Sequence, residues 1–555
     1  MEKLDLLIKG GTVYDGTGAE PFEADIGVAG DKIAFVCQKI GFNPPQAERG
    51  LSSASRPRRQ GFKAEKTIDA KGLAVSPGFI DTHAHSEFTL LADPRAEGKL
   101  LQGITTEING NCGLSAAPLY GKALEHREKD LAELGIKERW STFEEYFRIL
   151  EKKGIALNFL TLAGHGNIRA SVIGYKDKKP VIAELKKMQA LSQKAIDAGA
   201  IGLSTGLIYP PGIYSDTDEL VSLAKSFSND RLIYTSHMRS EGKGLIESIK
   251  EVIRIGKEAN IKVHISHIKT SGKENWDKID EAISLINNAR KRGVKVSCDR
   301  YPYTASSTDL DTILPSWTYE GGAEEELRRL KSSQVLEKIK KEILHGHPDN
   351  DYWTKVSVSS VSSQKNKWME GKTLSYISRK INKSPVDALF KILIEEKLRA
   401  GAIFSSMSED NLRRFLSLPY AMIGSDSSAR SMSGITYDGK PHPRGFGSFP
   451  RFLGKYVRDN KLMSMTSAVH KITMLPARTF GINGRGVLKK GAFADIVVFD
   501  PERIIDRATF DKPFLKSKGI NYVIVNGSPA IWKGNFTGAA AGKILGGKGC
   551  LPKKL

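Results

Sequence analysis

The sequence predicts an α/β fold: a TIM-like (β/α)8 barrel inserted into a small β domain that the two ends of the chain build together. Three observations carry this. Eight short β-branched or apolar runs recur through the middle of the chain, helical periodicity separates most of them, and turn-punctuated strand segments bracket the whole. Alternating β and α units argue for a parallel sheet, and eight of them for a closed barrel.

Residues 1–75 read as the first part of the β domain. DLLIKGGTVYDG and EADIGVAGDKIAFV alternate apolar and polar residues, with Gly-Gly, Asp-Gly and Gly-Asp at the turns. Residues 41–64 are rich in Pro, Ser, Gly and Arg and read as a surface insertion, after which KTIDAKGLAVSPGFID returns to strand character. The barrel is expected over residues 76–480. Its candidate strands are GFIDTHAHS, GITTEING, ALNFLTLAG, AIGLSTGLIY, RLIYTSHM, KVHISHIK, VKVSCDRY and YAMIGSD. Helical patterns such as VIAELKKMQALSQKAIDAG and GLIESIKEVIRIGKEAN lie between them. The stretch 310–410 is longer than one barrel step needs and predicts an inserted subdomain or lid before the eighth strand. Residues 481–555, with GVLKKGAFADIVVFDPERI and INYVIVNGSPAIWKG, complete the β domain. Chain ends often lie close together, so the split is physically cheap.

The 555 residues allow a large core and more than one domain. Hydrophobic content of 40% and aromatic content of 8% are ordinary for a soluble globular protein. No stretch approaches the roughly 20 apolar residues that span a bilayer, and MEKLDLLIKGGTVYDG is too short and too charged in its apolar part for a signal peptide. The expectation is a cytoplasmic protein with no membrane partner. Four cysteines, Cys37, Cys112, Cys298 and Cys550, show no CxxC spacing, which fits a reducing compartment. A net charge of +21 raises the question of nucleic acid. The lysines are spread over helix-like segments, however, and no nucleic-acid-binding motif accompanies the clusters SASRPRRQ and KGCLPKKL. A solvated surface, able to attract small anionic substrates, is the reading adopted, with no nucleic-acid partner.

Six residues carry the chemistry: His83 and His85 in GFIDTHAHSE, Cys112 in NGNCG, His237 in YTSHMRSEG, His267 in HISHIK and Asp426 in MIGSDSS. They sit at or just after strand ends, where barrel active sites form and where metal ligands and catalytic acids belong. His83 and His85 are two apart on a predicted strand, so both imidazoles face the same way. Asp81 before them can orient a ligand or cap the turn. His237 and His267 occupy equivalent ends of successive strands. His264, three residues earlier, is expected to face the helices and to be structural. Cys112 lies in a polar Gly-rich turn, where a thiolate is a strong zinc ligand, whereas Cys298 reads as strand filler. A carboxylate such as Asp426 beside a metal can take a proton from water and return it to a leaving nitrogen; a helix N-cap before SSARS is the alternative.

These motifs, with DRYPYTASST and HPRGFGSFPRFLG, resemble the N-acyl-D-amino-acid deacylase (D-aminoacylase) family of the amidohydrolase superfamily over nearly the whole chain. The resemblance implies one tightly held zinc on Cys112, His237 and His267. It implies a second, weaker metal position at His83 and His85, with Asp426 nearby. It also implies a grip on the substrate α-carboxylate by Lys269, Tyr301, Ser307 and Arg444, residue types that suit a carboxylate by charge and hydrogen bonding. Ser427 stands where the family often has Gly, and the spacer from Asp426 to Arg444 is long, which makes Arg430 a competitor for the carboxylate. The reaction implied is zinc-dependent hydrolysis of an N-acyl-D-amino acid to a carboxylate and a free D-amino acid, with Asp426 as the catalytic residue and a small molecule as the partner. A D-residue dipeptidase, a cyclic-amide hydrolase and a non-catalytic binding barrel are the alternatives. Acyl group, side-chain preference, one metal or two, and oligomeric state stay open at this level.

Overall fold

The computed structural model describes residues 4–38 and 63–546. Nearly all of the Pro/Arg-rich insertion predicted at 41–64, with its SASRPRRQ cluster, lies outside the described residues, as does the basic KGCLPKKL end.

Eight parallel strands form the barrel: β1 (Phe79–Asp81), β2 (Ile104–Asn109), β3 (Asn158–Thr161), β4 (Gly202–Gly206), β5 (Ile233–His237), β6 (Lys262–Ile265), β7 (Val296–Arg300) and β8 (Ala421–Ile423). Neighbours pair in register, for example Asp81 with Glu107, Gly206 with His237, and Ile265 with Cys298. The short continuation of β3, Ala163–Gly164, joins β4. The ring closes just beyond the strands, where Asp426 N donates to His83 O at 2.7 Å and Ala84 bridges Ser427 in parallel. Ile80, Ile108, Leu160, Leu162, Ile233 and Met422 fill the barrel floor, sealed by Phe480 and Ile482.

The outer helices bury apolar stripes at helical spacing. The helix Phe143–Lys153 buries Phe143, Tyr146, Phe147 and Leu150, starts on a Thr142/Glu145 capping box, and stops at Gly154, whose φ of 72° suits glycine. Both chain ends contribute to one β sheet, as the sequence predicts: Ala74–Pro77 pairs antiparallel with Ile496–Phe499. Its core includes Ile8, Ile26, Val75, Ile496, Val498 and Ile524. Between β7 and β8 lies a three-stranded antiparallel sheet, ordered Ala305–Asp309, Gly401–Ser405, Val356–Ser360. It has a core of its own around Leu330, Trp353, Leu374 and Leu389. This unit touches the barrel rim through Arg399 with Asp130 (2.8 Å) and Tyr209 Oη with Thr308 Oγ1 (2.8 Å). Among the described residues no helix is long and apolar enough to cross a membrane.

Phe79 joins the barrel to its surroundings: fully buried, it stacks on Phe449 at 5.8 Å and meets Phe499 edge-on at 6.2 Å. Phe79→Ala is expected to lower the unfolding free energy by about 3–5 kcal/mol, measured as a fall in the urea midpoint.

Candidate metal centre

All six predicted residues meet at the barrel mouth, and three reach it by unusual backbone. Cys112, His267 and Asp426 follow β2, β6 and β8 with φ of 54°, 35° and 51°, left-handed conformations that L-residues pay for. The Cys112 turn packs so tightly on β4 that a Cβ on Gly206 would lie 2.0 Å from Cys112 O. His83 and His85 lie beyond the end of β1 rather than on it, yet both face the site as strand parity predicted. Their Nε2 atoms are 3.6 and 3.3 Å from Asp426 Oδ1.

Cys112 Sγ is 3.3 Å from His83 Nε2 and 3.6 Å from His267 Nε2, and His267 Nε2 is 3.0 Å from His237 Nδ1. Zinc–sulfur and zinc–nitrogen bonds of ~2.3 and ~2.0–2.1 Å place tetrahedral ligand atoms about 3.3–3.6 Å apart, so the Cys112 spacings to His83 and His267 fit zinc, while His237 stands closer to His267. Burial pushes the Cys112 thiol up, but His83, His237 and His267 outweigh it and hold the group well below the usual thiol range, favouring the thiolate that binds metal. Three sets of donors converge: His83, Cys112 and His267; His83, His85 and Asp426; and His237, Glu241 and His267.

Several neighbours were not singled out from the sequence. Glu241 Oε1 lies 2.8 Å from His267 Nδ1. With that nitrogen protonated, Nε2 is free to face Cys112. Asp299, fully buried on β7, accepts from His83 Nδ1 (3.3 Å), His264 Nε2 (2.7 Å) and the His267 backbone N–H (2.8 Å). Burial opposes its ionisation, but His83 and His264 hold it well below the usual carboxylate range. His264 therefore faces the barrel interior and not the helices: β6 ends at Ile265 and the chain turns, so parity counted through His267 misassigns it. Tyr209 sets its ring edge-on to His237, centroids 5.1 Å apart. The available signals were weak: Glu241 lies four residues after His237 in a loop, and Asp299 is the penultimate residue of a strand.

The four residues assigned to the substrate also gather here. Arg444 Nη1 pairs with Asp426 Oδ2 at 2.8 Å and Nη2 donates to Ser307 O at 3.2 Å. Its guanidinium lies 4.7 Å from the centre of the Tyr301 ring. Lys269 Nζ pairs with Glu241 and lies 2.9 Å from His267 Nδ1. Arg430 is committed elsewhere, to the carbonyls of Thr436 (3.2 Å) and Asp438 (3.1 Å).

Residues 66–220 and 422–531 match the Amidohydrolase family. Over 544 residues the chain is 35% identical to a D-aminoacylase of Alcaligenes xylosoxydans xylosoxydans, covering 98% of each. The chain belongs to the D-aminoacylase family of amidohydrolases. It is also 35% identical to an N-acyl-D-glutamate deacylase of the same organism, over 95% of this chain and 93% of that one. Its fold is similar, with a TM-score of 0.80 and 34% identity, to an N-acyl-D-glutamate deacylase from Bordetella bronchiseptica solved with zinc and a phosphonate mimic of the tetrahedral intermediate. That match covers 98% of this chain and 100% of the other. The barrel with its split β domain is thus the family fold.

Two substitutions test the centre by metal content. Cys112→Ala is expected to lose zinc measured by elemental analysis, and Glu241→Gln to weaken zinc binding about 10–100-fold in a chelator competition.

Proposed function

We propose that the protein hydrolyses N-acyl-D-amino acids to a carboxylate and a free D-amino acid, using zinc. The observation that carries this reading is Asp426, poised between His83 and His85 on one side and Arg444 on the other. The relatives named above act on such substrates by their names, two of them on the D-glutamate derivative. Cys112, His237 and His267 would hold a tightly bound zinc, with His83, His85 and Asp426 offering a second, weaker position. Zinc there supplies polarisation of the acyl carbonyl and acidification of a water.

The protein's own groups do the rest. Arg444, Lys269, Tyr301 and Ser307 hold the α-carboxylate. Fixing carboxylate, acyl group and nitrogen together is what distinguishes D from L. Arg444 takes the substrate carboxylate at the expense of its pairing with Asp426. Asp426 then accepts the proton of the attacking water and passes it to the amide nitrogen as the C–N bond breaks. The free cysteines Cys37, Cys112 and Cys298 support a reducing, cytoplasmic setting.

Matched N-acetyl-D- and N-acetyl-L-amino acids, given to the zinc-loaded protein, test the proposal: chiral analysis should find only the D-amino acid released. Release of neither, with zinc bound, would move the reading to a dipeptidase or cyclic-amide hydrolase. Asp426→Asn should lower kcat about 10²–10⁴-fold while keeping one zinc; unchanged turnover would remove it from the reaction. Arg444→Ala should act mainly on KM.

A further inference from the structure

Behind the metal centre, on the helix-facing side of β1 and β2, lies a charged cluster that touches no proposed metal ligand through a side chain. Lys99, on the short helix Glu97–Leu100, is fully buried. Its ammonium reaches Asp81 Oδ2 (2.8 Å), Glu107 Oε1 (2.6 Å), Ser425 Oγ (2.9 Å) and the carbonyl of Ser427 (2.9 Å). Asp81 and Glu107 are also fully buried. Asp81 completes the frame: Oδ2 accepts from Ser425 Oγ (2.6 Å), and Oδ1 accepts from the backbone of Ser425 (2.8 Å) and His83 (3.2 Å). Burial disfavours the Lys99 charge, and the two carboxylates more than offset it.

The two partners from the end of β8, Ser425 and Ser427, flank Asp426 on either side. Asp426 itself sits at φ 51°, a conformation that persists only where the surroundings over-determine it. A single ammonium gripping the residue before and the residue after supplies that constraint. We infer that Lys99 is a positioning residue for Asp426, acting through Ser425 Oγ and the Ser427 carbonyl to keep the carboxylate between His85 and Arg444. The inference rests on the role of Asp426 proposed above.

Lys99→Met would strand two buried carboxylates and can fail to fold, so the deciding variant is Ser425→Ala, which removes one arm without changing charge. It is expected to lower kcat about 10–100-fold, the scale of a roughly 1 Å misplacement. KM should stay within about twofold and the tightly held zinc should not change, because the carboxylate grip and the Cys112 cluster are untouched. Ser425→Thr, which keeps the hydroxyl, should retain most of kcat. A kcat in Ser425→Ala within about twofold of the parent, or a fall matched by loss of the tightly held zinc, would overturn the inference. A crystal structure of Ser425→Ala reads the same point without substrate: the Asp426 carboxylate should shift away from His85, and an unmoved carboxylate counts against positioning. Absence of hydrolysis by the parent protein would instead count against the reaction, leaving that structural readout to decide.

Discussion

The carboxylate of Asp299 is the contact on which the site depends. It is fully buried on β7 and takes hydrogen bonds from His83, from His264 on β6 and from the backbone of His267. An ionised carboxylate out of water costs several kcal/mol unless it is paired and hydrogen-bonded. It therefore pulls three strand ends together, and in return it fixes His83 with Nδ1 protonated and Nε2 turned toward Cys112 and Asp426. Glu241 does the same for His267 from the loop after β5. Two carboxylates thus decide which imidazole nitrogens face the other metal-site donors.

Around those anchors the backbone is under local strain. Cys112, His267 and Asp426 each occupy the left-handed region, at about 1–2 kcal/mol apiece. A barrel strand running straight on would carry its side chains away from the axis of the mouth. A left-handed turn immediately after the strand instead delivers the side chain inward. The neighbouring glycines Gly110 and Gly113, with φ of 75° each, and the tight approach at Gly206 leave room for that turn at Cys112.

The barrel was legible because each strand announces itself with a local apolar run, and the split β domain because both ends share one texture. The six central residues were legible because five stand at or near where such a run stops and Cys112 stands in the Gly-rich turn after one. The i, i+2 argument for His83 and His85 reached the right facing although β1 stops at Asp81. Hydrogen bonds from Ala84 N to Ile108 O and from Asp426 N to His83 O tie the chain to its neighbours past a bend at Thr82 and His83. The same counting failed for His264, because a left-handed residue resets parity. Glu241, Asp299 and Lys99 have no periodic signature; their roles exist only once strands and a helix distant in sequence are side by side. The different settings of Arg444 and Arg430 were likewise invisible in spacer length: the 431–438 loop occupies the Arg430 guanidinium, while Arg444 faces Asp426.

Charge pairing explains how so many ions share a dry mouth. Arg444 is matched by Asp426 and Lys269 by Glu241, so the cations suited to a carboxylate already hold one each. Tyr301 lies among them, its ring 4.2 Å from Arg300, 4.7 Å from Arg444 and 5.9 Å from Lys269. Burial pushes its phenol up, but Lys269, Arg300 and Arg444 together bring it below its ordinary value, which makes it a stronger donor. In the proposed reaction an arriving carboxylate meets these paired cations and the primed Tyr301 hydroxyl, and it displaces Asp426 from Arg444 by exchange. Exchange leaves Arg444 paired with one carboxylate throughout, and it frees Asp426, still beside His83 and His85, for the attacking water only when substrate is present. In the proposed reaction, substrate binding and activation of the base are therefore one event at Arg444.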